Sequence, residues 1–129
     1  MKKGGIVNAQ LAYALARLGH TDRLVVCDAG LPIPSGPEVV DLAFRFGVPS
    51  FDAVLHGLLD ELVVEGATAA EEVKEQNPTV HELLGSYLLN LDFVPHEELK
   101  RVSSSARLVV RTGEATPYAN VVLRCGVPF

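Results

Sequence analysis

Asn8-Ala9-Gln10-Leu11-Ala12-Tyr13-Ala14-Leu15-Ala16-Arg17-Leu18-Gly19-His20-Thr21-Asp22-Arg23-Leu24-Val25-Val26-Cys27-Asp28 reads as a helix followed by a strand. Asn8 is a good N-cap, because its side-chain oxygen can accept a free N–H of the first turn. Leu11, Leu15 and Leu18 recur at helical spacing with alanines between them. Gly19 suits the C′ position just past such a helix. Leu24 to Cys27 is wholly apolar and stops at Asp28. A run without polar alternation predicts a strand buried on both faces, as in a helix-covered sheet.

Downstream, Ala29 to Pro37 holds three prolines and two glycines in nine residues, which excludes helix and central strand and predicts a stiff loop. Val39 to Ala43 reads as a second strand. Gly47-Val48-Pro49 is a turn, and Ser50 can cap a helix from about Phe51 to Leu62. Leu62-Val63-Val64 could begin another strand. Ala69 to Gln76, rich in Ala, Glu and Lys, predicts a short helix stopped by Asn77-Pro78, and a further helix follows from about Thr79 to Leu89. Phe93-Val94 is a candidate strand, and His96 to Arg101 one or two helical turns broken by Ser103-Ser104-Ser105. Ala106 to Val110 and Ala119 to Leu123 are apolar strand candidates flanking the polar loop Arg111 to Pro117. Alternating strands and helices predict an α/β fold with a mixed or mostly parallel sheet flanked by helices. No internal repeat, low-complexity tract or linker interrupts the chain, so one domain over residues 1–129 is expected.

The composition agrees. A length of 129 residues fits one domain and suffices for a core without staples. Hydrophobic residues make up 48% and charged residues 21%, as in ordinary globular proteins and unlike disordered chains. Lys+Arg 11 against Asp+Glu 16 gives a net charge of −5, which argues against a nucleic-acid binder. The longest uncharged stretch, Gly4 to Ala16, is broken by Asn8 and Gln10 and falls short of the ~20 apolar residues of a spanning helix. The Met1-Lys2-Lys3 start lacks a sustained apolar run behind it, so no signal peptide and a cytoplasmic address are expected. Cys27 and Cys125 sit in apolar runs and read as buried thiols. With no further cysteine and no histidine at ligand spacing, no metal site is expected.

Polar residues gather at the ends of the apolar strands, where open α/β sheets bind ligands. His20 and Asp28 flank the first strand, His96 lies at a loop-to-helix junction, and Tyr118 and Asn120 open the last strand. Imidazoles, a carboxylate, a phenol and an amide suit a neutral, hydroxyl-rich ligand that needs hydrogen bonds and no counter-charge. Plainer roles are open to each. His20 could only complement a helix C-terminus, Asp28 could only close an Asx-turn, and Tyr118 could only pack. Asn120 within an apolar strand is odder, because a buried amide must find partners. His56 and His81 fall within helices and read as structural or exposed. Arg111-Thr112-Gly113-Glu114 could cradle an anion, but no dinucleotide fingerprint, P-loop or nucleophile elbow is present.

Several stretches together resemble the D-ribose pyranase family: Met1-Lys2-Lys3-Gly4, Leu18-Gly19-His20-Thr21-Asp22, Cys27-Asp28-Ala29-Gly30-Leu31-Pro32-Ile33-Pro34 and Gly47-Val48-Pro49-Ser50-Phe51. Ala70-Glu71-Glu72-Val73-Lys74, Arg111-Thr112-Gly113-Glu114, Pro117-Tyr118-Ala119-Asn120 and the terminal Gly126-Val127 and Phe129 continue the resemblance over essentially the whole chain. Thr21, Gly30 and Ala119 are similar to the ribose branch rather than to the related L-fucose mutarotases.

The resemblance implies an enzyme that interconverts the pyranose and furanose forms of D-ribose, so that a kinase receives the furanose. It implies no metal and no organic cofactor, and a homodecamer of two stacked pentameric rings with sites at subunit boundaries. It implies that His20 is the catalytic acid/base and that Asp28 hydrogen-bonds the sugar or orients His20. It further implies that His96 with Lys100, and Tyr118, the Ala119 backbone and Asn120, hold the sugar. Ring opening needs one proton removed and one supplied, work suited to a histidine. Two alternatives stand beside this reading: a mutarotase for another sugar such as L-fucose, and a non-enzymatic sugar-binding accessory of ribose uptake. A purely structural or interaction module is weaker, since it leaves the polar cluster unexplained.

Overall fold

The structure, a computed structural model, describes residues 1–129. Strands β1 (Arg23–Cys27), β2 (Glu38–Asp41), β3 (Val64–Ala70), β4 (Leu91–Val94), β5 (Leu108–Arg111) and β6 (Val121–Cys125) form one sheet in the order β2-β5-β1-β6-β3-β4. β2, β5 and β1 are mutually parallel, as are β3 and β4, while β6 runs antiparallel to both β1 and β3. Five strands therefore end at one edge of the sheet, and β6 begins there.

Helices α1 (Ala9–Ala16), α2 (Phe51–Leu59), α3 (Val73–Gln76) and α4 (Pro78–Tyr87) pack on one face, and α5 (His96–Ser103) on the other. The expected mixed α/β architecture is the one observed. β1 is buried on both faces, as its composition predicts: Leu24 and Val26 enter the larger core with α1, α2 and α4, and Val25 and Cys27 the smaller one with Leu99 of α5. Each fully buried aliphatic side chain there contributes about 1.5–3 kcal/mol. Asn8 and Ser50 cap α1 and α2 as predicted, accepting from Leu11 N–H and Ala53 N–H.

Several sequence expectations need correction. Ala69 to Gln76 does not form one helix: β3 runs through Ala70, and only Val73–Gln76 is helical. Ala67 and Ala69 face the larger core, and β3 hydrogen-bonds β6 on one side and β4 on the other, so sheet pairing overrides the helix propensity of alanine. α2 stops at Leu59 rather than Leu62, and α4 spans Pro78–Tyr87 rather than Thr79 to Leu89. The terminal strands lie one or two residues further along than predicted, at Leu108–Arg111 and Val121–Cys125, while β2 ends at Asp41. Gly19 is not the left-handed residue after α1. The helix ends at Ala16, Gly19 N–H donates to Asp22, and the positive φ (69°) belongs to Thr21.

Candidate functional site

The edge where five strands end and β6 begins gathers Asp28, Glu72, His96, Thr112, Tyr118 and Asn120, each just beyond a strand or before β6. Asp28 and Asn120 form a reciprocal pair. Asp28 N–H donates to Asn120 Oδ1 at 2.9 Å, and Asn120 Nδ2 donates to Asp28 Oδ2 at 3.0 Å. The buried amide of Asn120, 1% exposed, thus finds its partners in one residue. Asp28 Oδ1 also accepts from Gly30 N–H at 2.9 Å, so the Asx-turn role and the pairing role coexist.

Tyr118 sits in the left-handed region at φ 57°. Asn120 N–H donates to the Tyr118 carbonyl at 2.9 Å, closing a tight turn over the fully buried Ala119. The His96 ring meets the Tyr118 ring edge-on, centroids 5.0 Å apart at 87°. His96 Nδ1 is buried and has no hydrogen-bond partner within the chain. Lys100, one turn along α5, donates to Glu97 Oε1 at 3.0 Å, and this ammonium holds the Glu97 carboxyl below the usual carboxylate range.

The loop between β5 and β6 ties these groups down. Thr112 Oγ1 donates to the Cys27 carbonyl at 2.8 Å and accepts from Glu114 N–H at 3.1 Å. Glu114 Oε1 takes the first N–H of α2, from Phe51, at 2.9 Å, and its Oε2 accepts from Thr116 at 3.0 Å. Arg111 is already committed to Asp41 and to the Ala29 carbonyl, so the anion cradle considered for Arg111 to Glu114 has its cation occupied. An open depression of about 710 Å³ borders Asp28, walled by Gly30, Phe46, Arg111, Glu114 and Thr116. His96 and Tyr118 are not among its walls.

His20 lies elsewhere. It precedes β1, whereas Asp28 follows it, so the two stand at opposite edges of the sheet, separated along β1 by roughly 15 Å at ~3.3 Å per residue. His20 Nε2 is 3.1 Å from Glu65 Oε2, and Glu65 Oε1 in turn pairs with Arg124 at 3.0 Å. That carboxylate, not a carbonyl of α1, is the His20 partner. One chain therefore brings Asp28, His96, Tyr118, Ala119 and Asn120 to one edge, carries Lys100 one turn beyond His96 on α5, and holds His20 apart. His56 is exposed beside Asp60, and His81 packs edge-on to Phe93, as expected of structural or surface histidines.

Two polar residues outside the sequence expectations touch the cluster. Glu72 accepts the His96 N–H, and Asn77 donates to Thr116 and to the Pro117 carbonyl. Asn77-Pro78 had a visible signal as a helix boundary, but nothing local shows that the amide reaches a loop about 40 residues away.

A carboxylate paired with a buried amide, and an imidazole stacked on a phenol ring, stand at the C-terminal edge of a helix-covered sheet, the place where α/β proteins of this class bind small molecules. The profile of the RbsD / FucU transport protein family matches residues 1–128. The chain belongs to that family. It is 73% identical over 129 residues, covering all of both chains, to a protein of Rubrobacter xylanophilus named D-ribose pyranase 1. Among solved structures, Bacillus subtilis RbsD complexed with D-ribose superposes with a TM-score of 0.96 at 44% identity, covering all of both chains. The fucose mutarotase of Streptococcus pneumoniae in complex with L-fucose shares the fold, with a TM-score of 0.78 at 21% identity over 95% of each chain.

Proposed function

We propose that the chain acts as a single-domain D-ribose pyranase, interconverting the pyranose and furanose rings of D-ribose and supplying the furanose for phosphorylation. The observation that carries this reading is the full-length similarity to proteins of that name and to a ribose-bound structure. The Asp28–Asn120 pair and the His96–Tyr118 stack support it, as a set of donors and acceptors matched to sugar hydroxyls.

The chemistry balances without an electron or group carrier. A base removes the proton of the anomeric hydroxyl, the bond from C1 to the ring oxygen breaks, and that oxygen takes up a proton. The open-chain aldehyde then turns so that the C4 hydroxyl attacks C1. That hydroxyl gives up its proton and the carbonyl oxygen gains one. We assign the proton transfers to His20, and the holding of the sugar to Asp28, His96, Lys100, Tyr118, the Ala119 backbone and Asn120.

Since His20 lies at the far edge of its own sheet, it serves the site of a neighbouring copy, in keeping with a decamer of two stacked pentamers. The exposed Phe44 and Phe46, the latter on the wall of the Asp28 depression, offer apolar surface for such a neighbour. No helix is long and apolar enough to cross a membrane, and we take the site of action to be the cytoplasm. No nucleic-acid partner is invoked.

Saturation-transfer NMR on D-ribose, with and without catalytic protein, tests the reading. Faster exchange between pyranose and furanose signals is expected, and His20→Ala should lower it by about 10²–10⁴-fold while ribose still binds. No effect on ribose, with clear acceleration of L-fucose exchange, would overturn the assignment.

A further inference from the structure

The six residues from Glu72 to Asn77, which carry α3, hold both members of the His96–Tyr118 stack from behind. At one end, the Glu72 carboxylate oxygens lie 2.9 and 3.1 Å from the His96 backbone nitrogen and accept its N–H. The N-cap of α5 is Pro95, whose side chain has no acceptor, so Glu72 supplies from another element the oxygen that a Ser or Asp would ordinarily provide. A carboxylate is also the favoured charge at a helix N-terminus. At the other end, Asn77 is buried. Its Nδ2 donates to Thr116 Oγ1 at 2.9 Å and to the Pro117 carbonyl at 2.8 Å, while its Oδ1 accepts from Val80 N–H at 3.3 Å. Between them, Val73 is completely buried in the core and anchors the segment.

The two ends thus act on the two rings that touch. Tyr118 occupies a backbone conformation that persists only when its surroundings hold it, and the carbonyl that Asn77 grips belongs to the preceding residue. His96 is the first residue of α5 and its ring packs edge-on against Tyr118, so a shift of the first turn of α5 moves that ring directly. We infer that Glu72 and Asn77 are positioning residues for the sugar-holding pair, a bracket that sets His96 and Tyr118 relative to each other. The inference rests on the reading of those two residues as sugar contacts.

Four variants test it: Glu72→Ala, Glu72→Gln, Asn77→Ala and Asn77→Asp. Each is compared with wild type for ribose exchange kinetics, ribose binding by calorimetry, thermal midpoint, and the ring C–H signals of His96. Glu72→Ala and Asn77→Ala should raise KM and Kd for ribose about tenfold or more with a smaller change in kcat, since misplacement of contacts by about 1 Å can cost up to ~10²-fold. Glu72→Gln keeps an acceptor oxygen for the His96 N–H and should restore near-wild-type values. Asn77→Asp keeps the cap on Val80 but presents an acceptor to the Pro117 carbonyl. It should stay folded, yet bind as poorly as Asn77→Ala and shift the His96 signals.

Wild-type affinity and unshifted His96 signals in Glu72→Ala and Asn77→Asp would overturn the bracket. So would losses that merely follow the thermal midpoint. A wild-type protein inert toward ribose would overturn the functional reading instead, and the His96 signals alone would then decide the bracket.

Discussion

Asp22 is fixed by two donors. Gly19 N–H reaches its Oδ2 at 2.7 Å and the Arg107 guanidinium at 2.6 Å, and the two together hold its carboxyl below the usual carboxylate range. These bonds close the turn that presents His20, so they matter to the residue assigned the proton transfers. Because the native carboxyl titrates lower than the unfolded one, its contribution is complete above the unfolded pKa and is lost as pH falls through the native value. Asp22→Asn should therefore cost about 1 kcal/mol at neutral pH, the upper end for a solvent-screened pair. Urea denaturation as a function of pH should show the variant and wild type converging in acid. At this scale the sequence was readable where side chains act locally, as with the Asn8 and Ser50 caps and the Asp28–Gly30 turn. It was silent where the partner is remote: nothing near His20 points to Glu65, and nothing near Asn120 points to Asp28.

Among the elements, the β5–β6 loop is held on both sides of Gly113 by the Arg45–Pro49 turn. Gly113 N–H donates to the Pro49 carbonyl at 2.9 Å, and its own carbonyl accepts from Gly47 N–H at 2.6 Å. A Cβ on Gly113 would lie 2.6 Å from the Arg45 carbonyl oxygen and closer still to that of Val48, both immobile backbone atoms. Gly113→Ala should thus push the Arg45–Pro49 turn off the loop and cost about 1–3 kcal/mol, as overpacking does. It should also weaken ribose binding, because that turn carries Phe46 on the wall beside Asp28. Thermal denaturation and calorimetric titration check the two halves. The elements themselves were largely legible, since hydrophobic period and capping residues are local signals. β3 was the exception. Its alanines favour a helix in isolation, and only the neighbouring β4 and β6, contributed by distant chain, make the segment extended.

For the whole molecule, the decisive geometry is that β1 separates His20 from Asp28. If each site takes His20 from one copy and Asp28 from another, two inactive variants can repair each other. Coexpressed His20→Ala and Asp28→Asn chains should regain about a quarter of wild-type exchange, the random chance that both contributions to a shared site are intact. Separately purified and unmixed, each should stay inactive, and recovery no greater than their sum would place both residues in one subunit's site. The sequence led to the two residues through their resemblance to a family, but the edge of the sheet on which each stands depends on strand direction, which only the assembled fold defines.

The two cysteines occupy the same two edges. Cys27 closes β1 beside Asp28, and Cys125 closes β6, where its carbonyl accepts from Thr21 N–H beside His20. Both are buried in the native chain, and burial pushes both thiols upward, Cys27 to about 12. A buried thiol, shielded from reagent and disfavoured as the thiolate, reacts with alkylating reagents when the backbone around it opens. The protein thereby carries its own pair of chemical clocks, one at the sugar-holding edge and one at the histidine edge. Their relative labelling rates report which end of the sheet breathes first.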